Sequence, residues 1–308
     1  MIHDFNNRTM KISKLKSLFR HGHYKPDNLG RSLNALYGDA RLSDTLKSLV
    51  IPVYNLDGDY LKVLKESGET DDAPVHTKNN FVDQGGHAVW LKNMKSGINL
   101  KPTPDVKIYD AVMASCAAPT YFPCHHFKAG YSDLAQPIEY SGIDGSIFDN
   151  PCISYHGAIR QHLAPGTKLI MIILGTGHTL PSIKKEDWNR YGGLGVVDPV
   201  NDLPLITILF HASETALIES FSQEMGDNIH VFNKSMLENE GAPDAPNTRI
   251  DDASHDNLKN LYHFYEGMME DNKSQFDKVC DLLVRNRDAK KTTTRRGFKI
   301  FDFGRKKG

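Results

Sequence analysis

Apolar positions along this chain follow two rhythms, and the changes between them outline its elements. Residues 1–20 are basic, with Met10, Ile12, Leu15, Leu18 and Phe19 spaced as on one helix face. The turn Tyr24-Lys-Pro-Asp-Asn-Leu29 leads into a helical stretch from Leu29 to about Tyr37. Leu46 to Asn55 reads as a strand, and the proline inside it predicts a bulge or a sheet edge. Leu56-Asp-Gly-Asp59 is a hairpin-type turn with Tyr60 to Lys65 as the returning strand. Residues 66–104 form a long polar connection with a short strand near His87–Leu91.

Lys107 to Cys116 has a helical pattern, which Ala-Ala-Pro-Thr-Tyr-Phe-Pro then breaks. Glu139 to Ile143 is a short strand. Pro151 to Leu163 is a helix whose proline sits in the first turn, where its missing N–H costs nothing. Lys168 to Leu174 is apolar and β-branched, the signature of a strand buried on both faces of a parallel sheet. A long helix over Asp202 to about Met225, a strand over Asn228–Asn233 and a helical stretch from His255 to about Arg285 follow. Strands alternating with helices predict an α/β three-layer fold.

Composition changes this picture at one place. The chain has 308 residues, 24% of them charged, and a net charge of −1. Residues 285–308 hold ten Lys/Arg against two Asp, so an acidic body ends in a basic segment. The organisation expected is a main domain over 1–284 and a basic, disordered tail over 285–308. The whole chain lacks the basic surplus of a duplex binder, so no nucleic-acid partner is expected. Within the tail, Phe298, Ile300, Phe301 and Phe303 lie among the cations, a mixture that suits either a solvated terminus or peripheral contact with an anionic membrane. The longest fully apolar run, Leu169–Leu174, is far too short to span a bilayer. With Met1-Ile-His-Asp polar and four cysteines (116, 124, 152 and 280) unlike a disulfide framework, the default compartment is the cytoplasm. Export without a recognisable signal fits the same features.

Three segments carry candidate chemistry. Ser115-Cys-Ala-Ala-Pro119-Thr-Tyr-Phe-Pro123 is a helix end of small residues followed by a proline-fixed turn. Tyr140-Ser-Gly-Ile-Asp144-Gly145-Ser146, with Asn150-Pro151 behind it, delivers an Asp from a strand to a glycine turn. In α/β sheets the chemistry gathers at such strand ends. Leu174-Gly-Thr-Gly177 follows the buried strand and offers backbone N–H groups that could cradle an anion. No P-loop pattern is present. Cys124-His125-His126, His21-Gly-His23 and Asp57-Gly-Asp59 lack the ligand spacing of zinc or calcium sites, so neither metal nor other cofactor is expected.

Taken together and in order, these segments resemble the patatin-like phospholipases. The residues carrying the resemblance are Ser115–Pro123, Asp144-Gly145-Ser146 with Asn150-Pro151, and Leu174–Gly177. Weaker echoes are Tyr24–Leu29, Leu42–Tyr54 and Arg249-Ile-Asp-Asp-Ala-Ser-His-Asp-Asn-Leu258. The resemblance implies a three-layer α/β fold with a mostly parallel central sheet. It implies a lipid acyl hydrolase acting on phospholipids or other acyl-ester lipids through a Ser–Asp dyad. Asp144 matches the dyad acid, in an Asp-Gly-Gly/Ala motif whose third position here is Ser146.

The dyad serine of that family lies on a Gly-x-Ser-x-Gly elbow. Here glycine precedes serine by two only at Gly30-Arg-Ser32 and Gly130-Tyr-Ser132, and neither completes the pattern. The expectation is that the N-terminal strands and the nucleophile elbow are missing from this chain. The nucleophile would then come from an upstream segment or a separate N-terminal polypeptide. Ser115 and Cys116 lie in a helix-end segment with no strained elbow, and Ser146 is two residues from Asp144 in sequence, so all three are poor substitutes. The chain alone is therefore expected to be inactive. The alternative is a non-catalytic remnant or a lipid- or protein-binding module on the same scaffold.

Overall fold

The computed structural model describes residues 24–56, 86–94, 104–119, 121–130, 137–163, 166–178, 183–195, 204–236, 242–247 and 251–298. The predicted helix within 1–20, the hairpin turn at 56–59, the strand at 60–65 and the end of the basic tail fall wholly or partly outside these residues. The chain divides into two units: 1–167 with 208–217, and 168–207 with 218–308.

The first unit is built on four strands: β1 (Val50–Asn55), β2 (His87–Lys92), β3 (His125–Ala129) and β4 (Ile138–Asp144). Their order is β2-β1-β4-β3, and all three pairings are antiparallel. Helix α1 (Asp27–Tyr37) precedes the sheet, and α2 (Ile108–Ser115) crosses between β2 and β3. The core gathers Leu42, Val53, Leu91, Val106, Ala111, Ala114, Phe127, Ala129 and Tyr140. The small residues of α2 let it lie close on the sheet: a Cβ at Gly142 of β4 would stand 2.7 Å from that of Ala114. After β4, α3 (Pro151–Ser154) runs into a π-turn over Tyr155–Ile159 and a 3-10 turn over Arg160–His162.

Two expectations need correction here. The sheet of this unit is antiparallel throughout, so a mostly parallel central sheet is not what the described residues form. The physical reason is connectivity: the eight residues between β3 and β4 are too few for the crossover that a parallel pair needs. The second concerns Pro52: β1 is an inner strand rather than an edge strand, yet at Pro52 itself it is paired on one side only. The ladder with β4 covers only Val53–Asn55. The Pro52 carbonyl accepts the Ser115 hydroxyl at 2.8 Å on the side where β4 has ended. Since N and O of a strand residue point the same way, the missing N–H falls there too and breaks no ladder bond. Strand β3 was not foreseen, although Phe127 and Ala129 point inward and His126 and Lys128 outward, a plain two-residue rhythm.

The second unit holds β5 (Met171–Leu174) and β6 (Ile229–Phe232), paired in parallel. Helix α4 (Lys185–Gly195) follows β5 and is kinked at Gly192. Helix α5 (Pro204–Met225) leads to β6, with its middle, Ile208–Leu217, grouped with the first unit. Helices α6 (His255–Asp271) and α7 (Lys273–Phe298) complete the described chain, and α7 takes in the start of the basic segment. Strand β5 is not buried on both faces as its apolar run suggests: Leu174 is 77% exposed. Among the described residues no helix is long and apolar enough to cross a membrane.

Candidate active site

Asp144 is the last residue of β4 and stands opposite Val53. Its N–H donates to the Ala117 carbonyl at 3.1 Å, which ties the strand end to the turn after α2. Its side chain caps the 3-10 turn Gly145–Ile147, Oδ1 accepting the Ser146 N–H at 2.8 Å. The carboxylate is half-buried, and Ser146 is exposed. Gly145 is required by space: a Cβ there would fall on the Pro52 carbonyl, a backbone group that cannot swing aside. The Asp-Gly pair is therefore more than turn composition, because it lets β4 end with its carboxylate against β1.

Around Asp144 lie the sequence's substitute nucleophiles. The Ser115 hydroxyl donates to the Pro52 carbonyl. Cys116 is exposed as a residue, yet packing around its thiol, and then the charge of Asp144, push its pKa up. A thiol held protonated is a weak nucleophile. Ser146 gives its backbone N–H, not its hydroxyl, to the Asp144 carboxylate, and is exposed.

Behind the motif, Asn150 caps α3 by accepting the N–H groups of Cys152 at 2.9 Å and Ile153 at 3.0 Å. Pro151 occupies the first helical position, as the sequence predicts. Sequence reasoning passed over Asp149. It accepts the Ser154 hydroxyl at 2.6 Å and the Trp90 indole N–H at 3.3 Å. Burial pushes its carboxyl up despite those bonds. Burial and then Asp149 push the fully buried Cys152 thiol up to about 11. Position beside Asn150-Pro151 was the one signal that could have singled Asp149 out.

One cavity among the described residues of this unit lies between α1, α2 and β3, about 600 Å³ in volume, with Arg31, Asn34, Lys107, Tyr109, Asp110 and His125 among its lining. Asp144 is not in that lining. His125 Nε2 meets Asp110 Oδ1 at 2.9 Å, and its ring stacks on Phe127. His126 faces Ser141 at 3.4 Å and Glu139 at 3.9 Å. The Cys124-His125-His126 run is thus a strand whose two histidines point opposite ways, and among the described residues no group of three or more metal-binding side chains converges.

In the second unit the glycines after β5 serve packing rather than an anion. The Gly175 N–H donates to the Phe232 carbonyl at 2.8 Å and the Gly177 N–H to Asn233 Oδ1 at 3.0 Å. Gly177 has φ +89°, and a Cβ there would press on Met236. The Asp251–Leu258 segment is a helix start: Ser254 caps α6 by accepting the Asn257 N–H at 3.3 Å. Asn257 is 5% exposed, donates to the Asp252 carbonyl at 2.8 Å and accepts the Asn247 N–H at 2.6 Å.

The family model for patatin-like phospholipase matches residues 4–155, the stretch that contains Ser115, Asp144, Asn150 and Pro151. Patatin-like protein 2 of Arabidopsis thaliana is similar at 25% identity over 67% of this chain and 44% of its own length. Patatin-01 of Solanum tuberosum is similar at 24% identity over 57% of this chain and 48% of its own. Patatin-like protein 1 of Arabidopsis thaliana aligns at 21% identity over 86% of this chain and 60% of its own. The chain spans about half the length of the curated relatives it matches.

Proposed function

From the premise that residues 4–155 are a patatin-like phospholipase segment, we propose that the chain takes part in acyl-ester hydrolysis of phospholipids or related lipids, with Asp144 as the acid of a Ser–Asp dyad. The observation that carries the reading is the setting of Asp144 at the end of β4. It is half-buried, held by the Ser146 N–H on Oδ1, and pinned through its own N–H to Ala117. Such a carboxylate keeps Oδ2 to accept a proton from a serine hydroxyl as that oxygen attacks the acyl carbonyl. The proton then passes to the leaving alkoxide, and water, deprotonated by the same carboxylate, releases the acid from the acyl-serine.

The 308 residues contain no Gly-x-Ser-x-Gly, so in this reading the attacking hydroxyl comes from another segment or polypeptide. The engagement of Ser115 and the raised pKa of Cys116 support that division of labour. The test uses the purified chain and a short-chain acyl ester. Turnover no greater than that of Asp144→Asn is expected from the chain alone. Adding a polypeptide that carries a patatin-type elbow should produce turnover that Asp144→Asn abolishes. Turnover that survives Asp144→Asn would refute the role of Asp144. No turnover with any elbow would favour the non-catalytic binding module.

A further inference from the structure

We propose that α7 is a docking element for an anionic lipid surface, its exposed apolar residues entering the interface and its basic C-terminal half holding the headgroups. The choice of lipid as the anionic surface rests on the acyl-hydrolase reading above; the physical argument for docking does not. Two independent features of one helix carry it.

The first is an uncovered apolar strip. Phe276, Leu283 and Val284 are all more than 40% exposed, while Val279 on the neighbouring strip is buried against the unit. Phe276 and Leu283 are seven residues apart and Arg287 is four beyond, so all three share one helix face. Asp277, Asp281 and Asp288 repeat at four and seven on an adjacent strip, which Val284 shares, three residues from Asp281, four from Asp288 and seven from Asp277. Phe276 and Leu283 lie on the strip without acidic side chains, and Val284 stands at its acidic border.

The second is charge. Residues 285–298 hold six Lys/Arg and one Asp, in a chain whose total charge is −1. The helix backbone is continuous from Lys273 to Phe298, so the apolar strip leads directly into the basic half. Arginine and lysine stems can lie along an apolar surface while their charges reach the headgroups. Each such cation near an anionic bilayer adds to binding, and large apolar residues on the same helix set its depth. A nucleic acid would satisfy the charge and leave Leu283 and Val284 uncovered, which is why a lipid surface is the better fit.

The experiment is vesicle co-sedimentation of the full chain carrying Asp144→Asn, so that binding is read without turnover and independently of any catalytic role. Vesicles of phosphatidylcholine alone are compared with vesicles containing phosphatidylserine, in a salt series. Binding is expected only to the anionic vesicles and should weaken with salt. Reversal of four cations (Arg285→Glu, Arg287→Glu, Lys290→Glu, Lys291→Glu) should weaken it on the order of 100-fold or more. A second variant, Leu283→Gln with Val284→Gln, should weaken it on the order of 10-fold at constant charge. Circular dichroism of each variant checks that the helices are retained. Undiminished binding by the charge-reversed chain, or equal binding to both vesicle types, would overturn the proposal. So would full displacement of the chain from vesicles by duplex RNA, together with no effect of the glutamine pair.

Discussion

The two units differ in how far sheet and helix cover each other. In the first, α2 lies over strands with neighbours on both sides, and Val53, Val106, Ala111 and Ala114 are fully buried. In the second, two parallel strands are described, and the last residue of β5 is mostly exposed. The local sequences suggest the reverse ranking. Leu169–Leu174 is the most apolar run of the chain, whereas β3 reads His-His-Phe-Lys-Ala. Strands β3 and β5 each pair with one described strand, so what packs on their faces makes the difference, and alternation reports that better than raw hydrophobicity does.

The sharpest test of this contrast removes the same side chain from each sheet. Phe127 is 4% exposed and Phe232 is 2% exposed. Phe127 stacks on Tyr140 at 5.2 Å inside a nine-residue core. Phe232 meets Phe276, itself partly exposed and able to move inward. Phe127→Ala should cost about 3–5 kcal/mol and Phe232→Ala nearer 2 kcal/mol, read from urea unfolding of each variant. Equal losses would mean that the second sheet is covered as tightly as the first.

Glycines separate the units next. Gly145→Ala pushes a Cβ into the Pro52 backbone and should cost about 2–3 kcal/mol. Gly226→Ala meets nothing within 4 Å and carries only the strain of φ +53°, about 1–2 kcal/mol. A nearly neutral Gly145→Ala would show that β1 and β4 can part at their ends, and with them the placement of Asp144.

How much of this was legible in the sequence follows the same division. Helices α1, α2, α5 and α6 showed their spacing and their breakers, and β1, β2, β4 and β6 were placed to within a few residues. Asp144 at a strand end was legible because Gly145 follows it directly. The pairing of strands was not, since β1 turns antiparallel to both neighbours through contacts far apart in sequence. Strand β3 was hidden because two adjacent histidines suggest surface or metal, and only the partners Asp110 and Ser141 reveal the alternation. Asp149 was hidden for a related reason: its donors Trp90 and Ser154 become neighbours only in the fold.

Acid should also tell the units apart. His230 on β6 is 4% exposed, and its Nε2 is buried without a hydrogen-bond partner. Burial first, then the charge of Lys278, lowers its pKa against the opposing pull of Asp227. A histidine whose folded pKa is depressed keeps its full stability above the ordinary value near 6.5 and loses it as pH falls toward the folded value. Unfolding of the second unit, followed by hydrogen exchange of β6, should become easier between about pH 7.5 and 5.5, and His230→Leu should flatten the dependence. The first unit has a contrasting pair: burial would raise the Asp105 carboxyl, but hydrogen bonds from Arg41 and Ser43 together with the Arg41 charge hold it below the usual range. Its contribution is lost only as pH falls below the ordinary aspartate value near 3.9. Both side chains are partly exposed, so Arg41→Met should cost no more than about 1 kcal/mol, and less in high salt.

The smallest expected effect bears most directly on the comparison. Leu174 ends the apolar run and is 77% exposed, although its sequence context is that of a core strand. Removing an exposed leucine forfeits little burial, so Leu174→Ser should change the unfolding free energy by no more than about 0.5 kcal/mol. The same change at a covered leucine would cost several times that: Leu91 of β2 is 2% exposed, and its truncation should cost about 2–5 kcal/mol. A cost above about 2 kcal/mol at Leu174 would mean that its side chain is packed in solution. The difference in cover between the two units would then vanish at the residue where it is greatest.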